Sequence, residues 1–406
     1  MKRAIVLSGG GSRGAYQIGF WKAIRELDIT YDIVTGTSIG ALNGVFMTQQ
    51  DYSNAFKLWY FMNYDKVIDD TITNTFDTFK GKKEIIMKYA KGALKGGLDV
   101  PALEKTIKDN FKPDLFFNSP VDYGLVTMKV PSMKMVKLTK KNLTKENLPD
   151  YLLASAACFP AFKLKNINNE MYLDGGYLDN LPIDLALEMG ADEVIAVYLK
   201  AAGRVRKLPK TSVPIKVISP RNDIGNFLVM EKQRARKAIK YGYNDTMKAF
   251  GKLAGDRYTF KLGSLRRNFE RNETRFDYYV NLFLKNVTEL RKYKQLLGRG
   301  KNKLFNEMLE NTARAFDVDD AVVYRTSVLN VLIKKEFKKT KFKSYNVIKN
   351  AIKSNELKSA FVSKELICYL YDEMKKKKKA CKSLDRFAML FPNSYLCAIY
   401  LMTIMR

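Results

Sequence analysis

Residues 31–44, YDIVTGTSIGALNG, constrain the fold more than any other stretch of the chain. Tyr31–Val34 carries the aromatic and β-branched residues of a short buried strand. Ile39–Met47 carries the small and apolar residues of a helix. Between them, Gly36-Thr37-Ser38-Ile39-Gly40 spells G-x-S-x-G at a strand-to-helix turn, the setting that a nucleophile elbow requires. Such a turn holds Ser38 Oγ clear of the sheet, and the flanking glycines allow backbones to approach closely. The N–H groups of Ser38 and Ile39 open a helix and so favour nearby negative charge. The alternative is a structural Gly/Ser turn in a chain with 24 glycines.

The chain has no histidine. A Ser-His-Asp triad needs an imidazole to take the serine proton, so serine chemistry within this chain needs a carboxylate or a lysine as base. Histidine-based zinc sites are excluded, and the four scattered cysteines (Cys158, Cys368, Cys381, Cys397) do not have the spacing of a thiolate zinc site or a disulfide framework. That cysteine usage points to a reduced, intracellular setting.

Before the elbow, Arg3–Leu7 reads as an apolar strand and Ala15–Leu27 as a helix. Between them, Gly9, Gly11 and Gly14 spell G-x-G-x-x-G. That is the dinucleotide-binding pattern. Asp32, near the distance expected for the ribose-binding acid, opens its strand, which ends instead in the G-x-S-x-G turn. The same geometry also suits an oxyanion hole built from the N–H groups of Gly10 and Gly11, and that reading of the loop is preferred. Arg13 then either adds charge for a phosphate or fixes the loop. Residues 52–111 alternate aromatic and helical patches (Phe56, Trp59, Tyr60 and Phe61; Ile85–Leu94; Pro101–Phe111). They read as a helical insertion beside the site, a lid or an acyl-chain pocket, unless the aromatic stripe is plain core. Asp122–Thr127 and Met133–Leu138 read as strands joined at Pro131-Ser132. Met171–Asp174 is a strand ending in an acid before Gly175-Gly176, placed to reach Ser38 across the carboxyl edge of a parallel sheet. Asp179 and Asp184 are competing carboxylates. Glu193–Leu199 and Val213–Ile218 complete an alternation of strands and helices that argues a layered α/β fold.

From Asp223 onward the segments are mainly helical: 227–250, 268–297, 303–316, 321–334 and 345–371. The domain boundary is expected near residue 255, in Gly251–Gly255, giving domains 1–255 and 256–406. Of the net charge of +29, residues 231–406 hold +22, from 40 Lys+Arg against 18 Asp+Glu. They include five consecutive lysines, Lys375–Lys379. Such asymmetry points to an anionic partner, membrane or nucleic acid. The amino terminus lacks the apolar run of about 7–15 residues that a signal peptide needs. The longest apolar run, Tyr395–Met405, is shorter than the roughly 20 residues of a bilayer span, so no transmembrane helix is expected.

Three elements in one order, Gly9–Gly14, Gly36–Gly40 and Asp174-Gly175-Gly176, resemble the bacterial branch of the patatin-like phospholipase family over roughly residues 1–220. Ala154-Ser155-Ala156-Ala157 ahead of Pro160, and Asn180-Leu181-Pro182, extend the resemblance. It implies a three-layer α/β/α fold with a mostly parallel central sheet, followed here by an all-helical carboxyl-terminal region of unknown role. It implies Ser38 as nucleophile, Asp174 as base, and Gly9, Gly10 and Gly11 as oxyanion hole. Arg13, Gly14, Gly36, Gly40, Gly175 and Gly176 would be the supporting motif residues. A Ser-Asp dyad explains how a histidine-free serine hydrolase works, with no metal or other cofactor. The expected activity is hydrolysis of phospholipid or lysophospholipid esters by a cytoplasmic protein, peripheral at an anionic inner membrane face, with no nucleic-acid partner. The competing readings are a dinucleotide-dependent enzyme and a non-enzymatic membrane or nucleic-acid binding protein.

Overall fold

The computed structural model describes residues 1–62, 87, 91–207, 210–286, 295, 298–341 and 364–405. The expected helical patch at 85–94 and the ends of those at 268–297 and 345–371 lie in part outside these residues. The chain divides into two compact units, Met1–Ala249 and Phe250–Arg406. The division precedes the boundary read at 255 because Leu253–Ala254 already pairs with Phe260 and Lys261 in a small sheet of the second unit.

The first unit alternates strands and helices as the sequence predicts. In order it holds β1 (Arg3–Leu7), α1 (Ala15–Glu26), β2 (Ile33–Thr37), α2 (Ile39–Thr48), α3 (Tyr52–Tyr60), α4 (Pro101–Asn110) and α5 (Pro113–Phe117). There follow β3 (Asp122–Val130), β4 (Lys134–Thr139), α6 (Leu148–Ser155), β5 (Lys165–Ile167), β6 (Glu170–Asp174), α7 (Ile183–Glu188), β7 (Glu193–Val197), β8 (Ile215–Ile218) and α8 (Lys232–Ala249). β8, β7, β1, β2 and β3 are hydrogen-bonded in that order and all run parallel. β4 lies antiparallel along one edge of β3. The other edge of β3 is shared: β2 pairs with it as far as Thr37↔Val126, and β6 pairs with it antiparallel from Thr127↔Asp174 onward.

Side chains alternate across a strand, and here each face finds helices. Ala4, Val6, Ile33, Val194 and Ala196 pack on Ile183 and Ala186 of α7. Tyr123 and Leu125 pack on the opposite side with Ala41 and Val45 of α2, Ile107 of α4, Phe116 of α5 and Leu152 of α6. The result is the expected three-layer arrangement around a mostly parallel sheet. β5 escaped the sequence reading although its signal is present: it joins β6 through Asn168-Asn169, both with positive φ (52° and 63°), as a two-residue hairpin of the primed turn type demands.

The second unit is mainly helical but not wholly so. β9 (Leu253–Ala254), β10 (Thr259–Lys261) and β11 (Val323–Tyr324) form a three-stranded sheet, and strands of two or three residues carry no readable periodicity. Around it lie α9 (Ser264–Leu284), α10 (Lys301–Ala315), α11 (Thr326–Lys341), α12 (Lys364–Lys377), α13 (Lys382–Leu390) and α14 (Pro392–Ile404). α14, from the longest apolar run, is buried at every position from Ser394 to Ile404 and is central to this unit's core. No described helix is by itself long and apolar enough to cross a membrane.

α1 and α8 meet backbone to backbone. A Cβ on Gly19 would lie 1.9 Å from Ile239 O, and one on Gly242 would lie 1.9 Å from Tyr16 O. Gly19→Ala or Gly242→Ala is therefore expected to lower the unfolding midpoint, at a cost of about 1–3 kcal/mol from overpacking. Gly298→Ala, whose Cβ meets nothing within 4 Å, serves as the neutral control in thermal unfolding.

Candidate active site

Ser38 sits between β2 and α2 with φ 55° and ψ −127°, a left-handed backbone that costs a non-glycine residue of order 1–3 kcal/mol. The elbow glycines serve close approach rather than unusual torsions. A Cβ on Gly36 would lie 2.4 Å from the Gly40 carbonyl, one on Gly40 2.2 Å from Leu7 O, and one on Gly14 2.6 Å from Ile39 Cγ1. The Ser38 N–H donates to Ser155 Oγ at 2.8 Å, and Ser155 Oγ donates to Val126 O at 2.8 Å. Of the two N–H groups expected to favour negative charge at the turn, that of Ser38 is thus already engaged, leaving that of Ile39. Sequence alone gives Ser155 no role, because only the fold brings α6 to this turn.

Asp174 ends β6, as expected, but β6 runs antiparallel to β3. It therefore does not project from the carboxyl edge of the parallel set. It arrives head-on at the end of β2, on the next rung of β3 after Thr37. Its Oδ1 accepts the Gly176 N–H at 2.7 Å, and its amide donates to Ala157 O at 3.1 Å. Burial pushes its carboxyl up to about 6, against hydrogen bonds from the Gly176 N–H and the Ser38 hydroxyl that favour the carboxylate. Gly175 is pressed on the seam: a Cβ there would lie 2.3 Å from Val126 O. On Gly176 a Cβ would lie 3.0 Å from Asp174 Oδ1.

The competing acids go elsewhere. Asp179 is buried behind β2, where its carbonyl accepts the Thr37 hydroxyl at 2.9 Å, and burial pushes its carboxyl up to about 6 as well. Asp184 pairs with Arg206 at 2.6 Å. Neither lines the cavity that Ser38 and Asp174 share.

The first glycine loop is held from several sides. Gly9 is not a free donor, contrary to the expectation for an oxyanion hole, because its N–H is given to Asn180 O at 3.1 Å. It is required for space, since a Cβ there would lie 2.4 Å from Asn180 Oδ1. Gly10 and Gly11 do line the cavity beside Ser38 and Asp174; Gly11 has φ 52°, which glycine adopts without strain. Arg13 is a loop clamp, donating to the carbonyls of Gly225 (2.8 Å), Lys200 (2.6 Å) and Leu199 (3.3 Å). Beneath the loop runs a buried polar chain that the sequence did not reveal. Gln17 donates to Ser8 O at 2.8 Å, Asn43 to Gln17 Oε1 at 2.7 Å, and the Trp59 indole to Asn43 Oδ1 at 2.8 Å. The dinucleotide reading loses its acid: Asp32 precedes β2, at the opposite end from the glycine loop, and its carboxylate accepts the Arg3 N–H at 2.8 Å.

Over residues 5–187 the chain matches the family model described as patatin-like phospholipase. Residues 5–187 are a patatin-like phospholipase domain. The chain is 28% identical over 199 residues to patatin-like phospholipase domain-containing protein 6 of Mus musculus, covering 48% of this chain and 13% of that protein. It is likewise 28% identical over 196 residues to lysophospholipase NTE1 of Phaeosphaeria nodorum, covering 48% of this chain and 12% of that one. The chain thus spans a small part of the length of these relatives. Among solved structures, VipD from Legionella pneumophila aligns with a TM-score of 0.40 at 13% identity, over 99% of this chain and 91% of that chain.

In the first unit the cavity over Ser38 and Asp174 measures about 200 Å³. Apart from these two residues and the glycines its walls are mainly apolar, with Leu42, Trp59, Met62, Leu103, Phe162 and Phe227 among them. Cys158 also faces it, and burial pushes that thiol up to about 12, so it stays protonated. A smaller apolar pocket of about 50 Å³, ending at Phe46, Phe111 and Leu152, shares Ile39, Leu42, Trp59, Met62, Leu103 and Thr106 with the first. Trp59 and Leu103 place two of the expected helical-insertion segments at the site.

The raised carboxyls set a pH dependence of stability for the patatin-like domain. Asp174 and Asp179 titrate near 6 when folded and near 3.9 when unfolded, so the folded state holds protons more tightly. Their stabilisation is complete below about pH 4 and is lost as pH rises through about 6. Urea unfolding across this range should show Asp174→Asn and Asp179→Asn each flattening that decline and gaining stability at neutral pH. No histidine titrates in the same window.

Proposed function

We propose that the patatin-like domain hydrolyses carboxylic esters of lipids through a Ser38–Asp174 dyad. The observation that carries this reading is the meeting of a strained, outward-turned serine and a desolvated carboxylate on one mainly apolar cavity. The relatives' names, phospholipase and lysophospholipase, support phospholipid or lysophospholipid substrates. The Asp174 carboxylate accepts the Ser38 proton as Oγ attacks the ester carbonyl. Negative charge then develops on the carbonyl oxygen, and the N–H groups of Gly10, Gly11 and Ile39 are the donors assigned to it. Losing one such donor costs about 2.7–4 kcal/mol. Collapse of the tetrahedral intermediate expels the alcohol, which takes the proton from Asp174. Water then attacks the acyl-serine with Asp174 again as base, releasing the fatty acid and restoring Ser38. A carboxyl near 6 is a better base at neutral pH than an ordinary aspartate, because its pKa lies closer to the working pH. No step calls on a metal or organic cofactor. The apolar cavity and its side pocket are the natural place for the acyl chain.

A fluorophosphonate probe should label wild type and leave Ser38→Ala unlabelled. Ser38→Ala should turn over a short-chain aryl ester at less than about a hundredth of the wild-type rate, Asp174→Asn nearly as poorly, and Asp179→Asn close to wild type. kcat/KM should fall as pH drops through about 6, where Asp174 takes up a proton. Labelling of the Ser38 variant, or a dead Asp179 variant beside an active Asp174 variant, would place the chemistry elsewhere.

The charge of the second unit supports a membrane-peripheral location for this activity. About 1 kcal/mol accrues per basic residue near an anionic bilayer. The full chain should co-sediment with phosphatidylserine vesicles in preference to phosphatidylcholine vesicles and to duplex DNA, and rising salt should weaken the binding. Equal binding to neutral vesicles, or a preference for DNA, would refute this location.

A further inference from the structure

The second unit contains a cavity of about 880 Å³, larger than the one over Ser38, and its chemistry is of another kind. Among the described residues its lining includes five cations, Lys261, Arg267, Arg271, Arg325 and Lys334, and no acid. Among the described residues no ion pair engages Lys261, Arg267, Arg271 or Arg325. Two acids of α9 pair elsewhere: Glu270 binds Arg266 at 2.7 Å and Asp277 binds Lys301 at 2.6 Å.

The topology explains why the charges converge. β10 and β11 are parallel neighbours, with Thr259↔Val323 and Phe260↔Tyr324 in register. Each runs directly into a helix, β10 into α9 at Ser264 and β11 into α11 at Thr326. Both helices therefore begin at the carboxyl end of the strand pair, where open α/β arrangements bind their ligands. The starts are locked together: the Thr326 N–H donates to Ser264 Oγ at 2.8 Å and Thr326 Oγ1 to Ser264 O at 3.1 Å. The floor is neutral and internally satisfied. Asn330 donates to Asn268 Oδ1 at 3.0 Å, and the Tyr400 hydroxyl donates to Asn330 Oδ1 at 2.7 Å. The described residues thus supply a rigid polar floor, two positive helix ends and a cationic rim in which Lys261, Arg267, Arg271 and Arg325 have no ion-pair partner.

We propose that this cavity binds a multiply phosphorylated group, carried either by a soluble molecule or by a lipid headgroup. Three arginines favour phosphate oxygens, which their planar forks meet bidentately. One phosphate would leave most of the four unpaired cations, Lys261, Arg267, Arg271 and Arg325, unbalanced, so the fitting ligand carries several anionic groups close together. The site is independent of the esterase reading, since no residue of the patatin-like domain takes part.

The test is calorimetry on the full chain with sodium tripolyphosphate as probe, at low and high salt. Saturable binding of about one probe per chain, weakened by salt, is expected. Arg271→Gln combined with Arg325→Gln should weaken it by about tenfold or more per arginine lost. Lys375→Gln combined with Lys376→Gln removes the same charge outside the cavity and should leave binding unchanged. Circular dichroism and the thermal transition verify that each variant is folded, and Arg267→Gln with Lys261→Gln substitutes if the first pair is not. No binding at low salt, binding unaffected by loss of the cavity arginines, or equal loss in the lysine control would overturn the proposal. A second arm uses phosphatidylcholine vesicles doped with bisphosphorylated phosphatidylinositol. Retention on them that tripolyphosphate competes away assigns the headgroup source. Tripolyphosphate binding without vesicle retention assigns the soluble one.

Discussion

The edge of β3 that β2 and β6 share is the constraint on which the site depends. β2 pairs with it parallel up to Val126, and β6 takes over antiparallel at Thr127. Two strands therefore end facing each other on adjacent rungs, one delivering Ser38 and the other Asp174. The Val126 carbonyl lies at this seam. Ser155 Oγ donates to it while accepting the Ser38 N–H, and Gly175 packs so closely on it that no side chain fits. A one-residue slip of β6 would turn Asp174 to the other face of the sheet, so the register of a five-residue strand decides whether the two groups meet.

That seam also marks how far the sequence could be read. The elbow, the Asp-Gly-Gly turn and the strand–helix alternation are local patterns of torsion preference and burial, and each is written in a few consecutive residues. The direction of β6 is not, because the same five residues pair equally well either way and the choice depends on β3 and β5. The Gly9 N–H was misassigned for a similar reason: its acceptor, Asn180 O, is far along the chain. Ser155 looks like any small residue of an apolar helix until α6 is placed against the turn. The aromatic run at 56–61 read equally as core or as pocket, and Trp59 is both. It is buried, it donates to Asn43, and it lines the cavity.

Holding Ser38 and Asp174 in this state costs stability twice, through a left-handed serine backbone and through a carboxyl kept from water. The surroundings offset that cost with polar contacts around the glycine loop. The Ser8–Gln17–Asn43–Trp59 chain fixes the glycine loop from below, and Arg13 ties it to three carbonyls above. Among the described residues no cation holds Asp174 ionised, and the hydrogen bonds from the Gly176 N–H and the Ser38 hydroxyl favour its charge. A lysine or arginine at that place would neutralise the acid's field and return its pKa toward the ordinary range or below, away from what the proposed base role needs. In a chain without histidine, desolvation of an aspartate is one way to bring the proposed carboxylate base toward neutrality.

The two units use the same electrostatic logic with opposite sign. Folding normally cancels charge in a concavity, because an uncompensated ion there loses solvation without gaining a partner. In the first unit a single negative charge is left unpaired at the floor of an apolar cavity, where a proton can come and go. In the second, Lys261, Arg267, Arg271 and Arg325 rim a cavity with no acid among the described residues of its wall, although the same unit finds acids for Arg266, Lys301 and Lys364 on its outer surface. A fold selected only for stability would distribute its few acids to the places where repulsion is greatest. Their absence from the cavity wall is what a site keeps when a ligand supplies the missing charge.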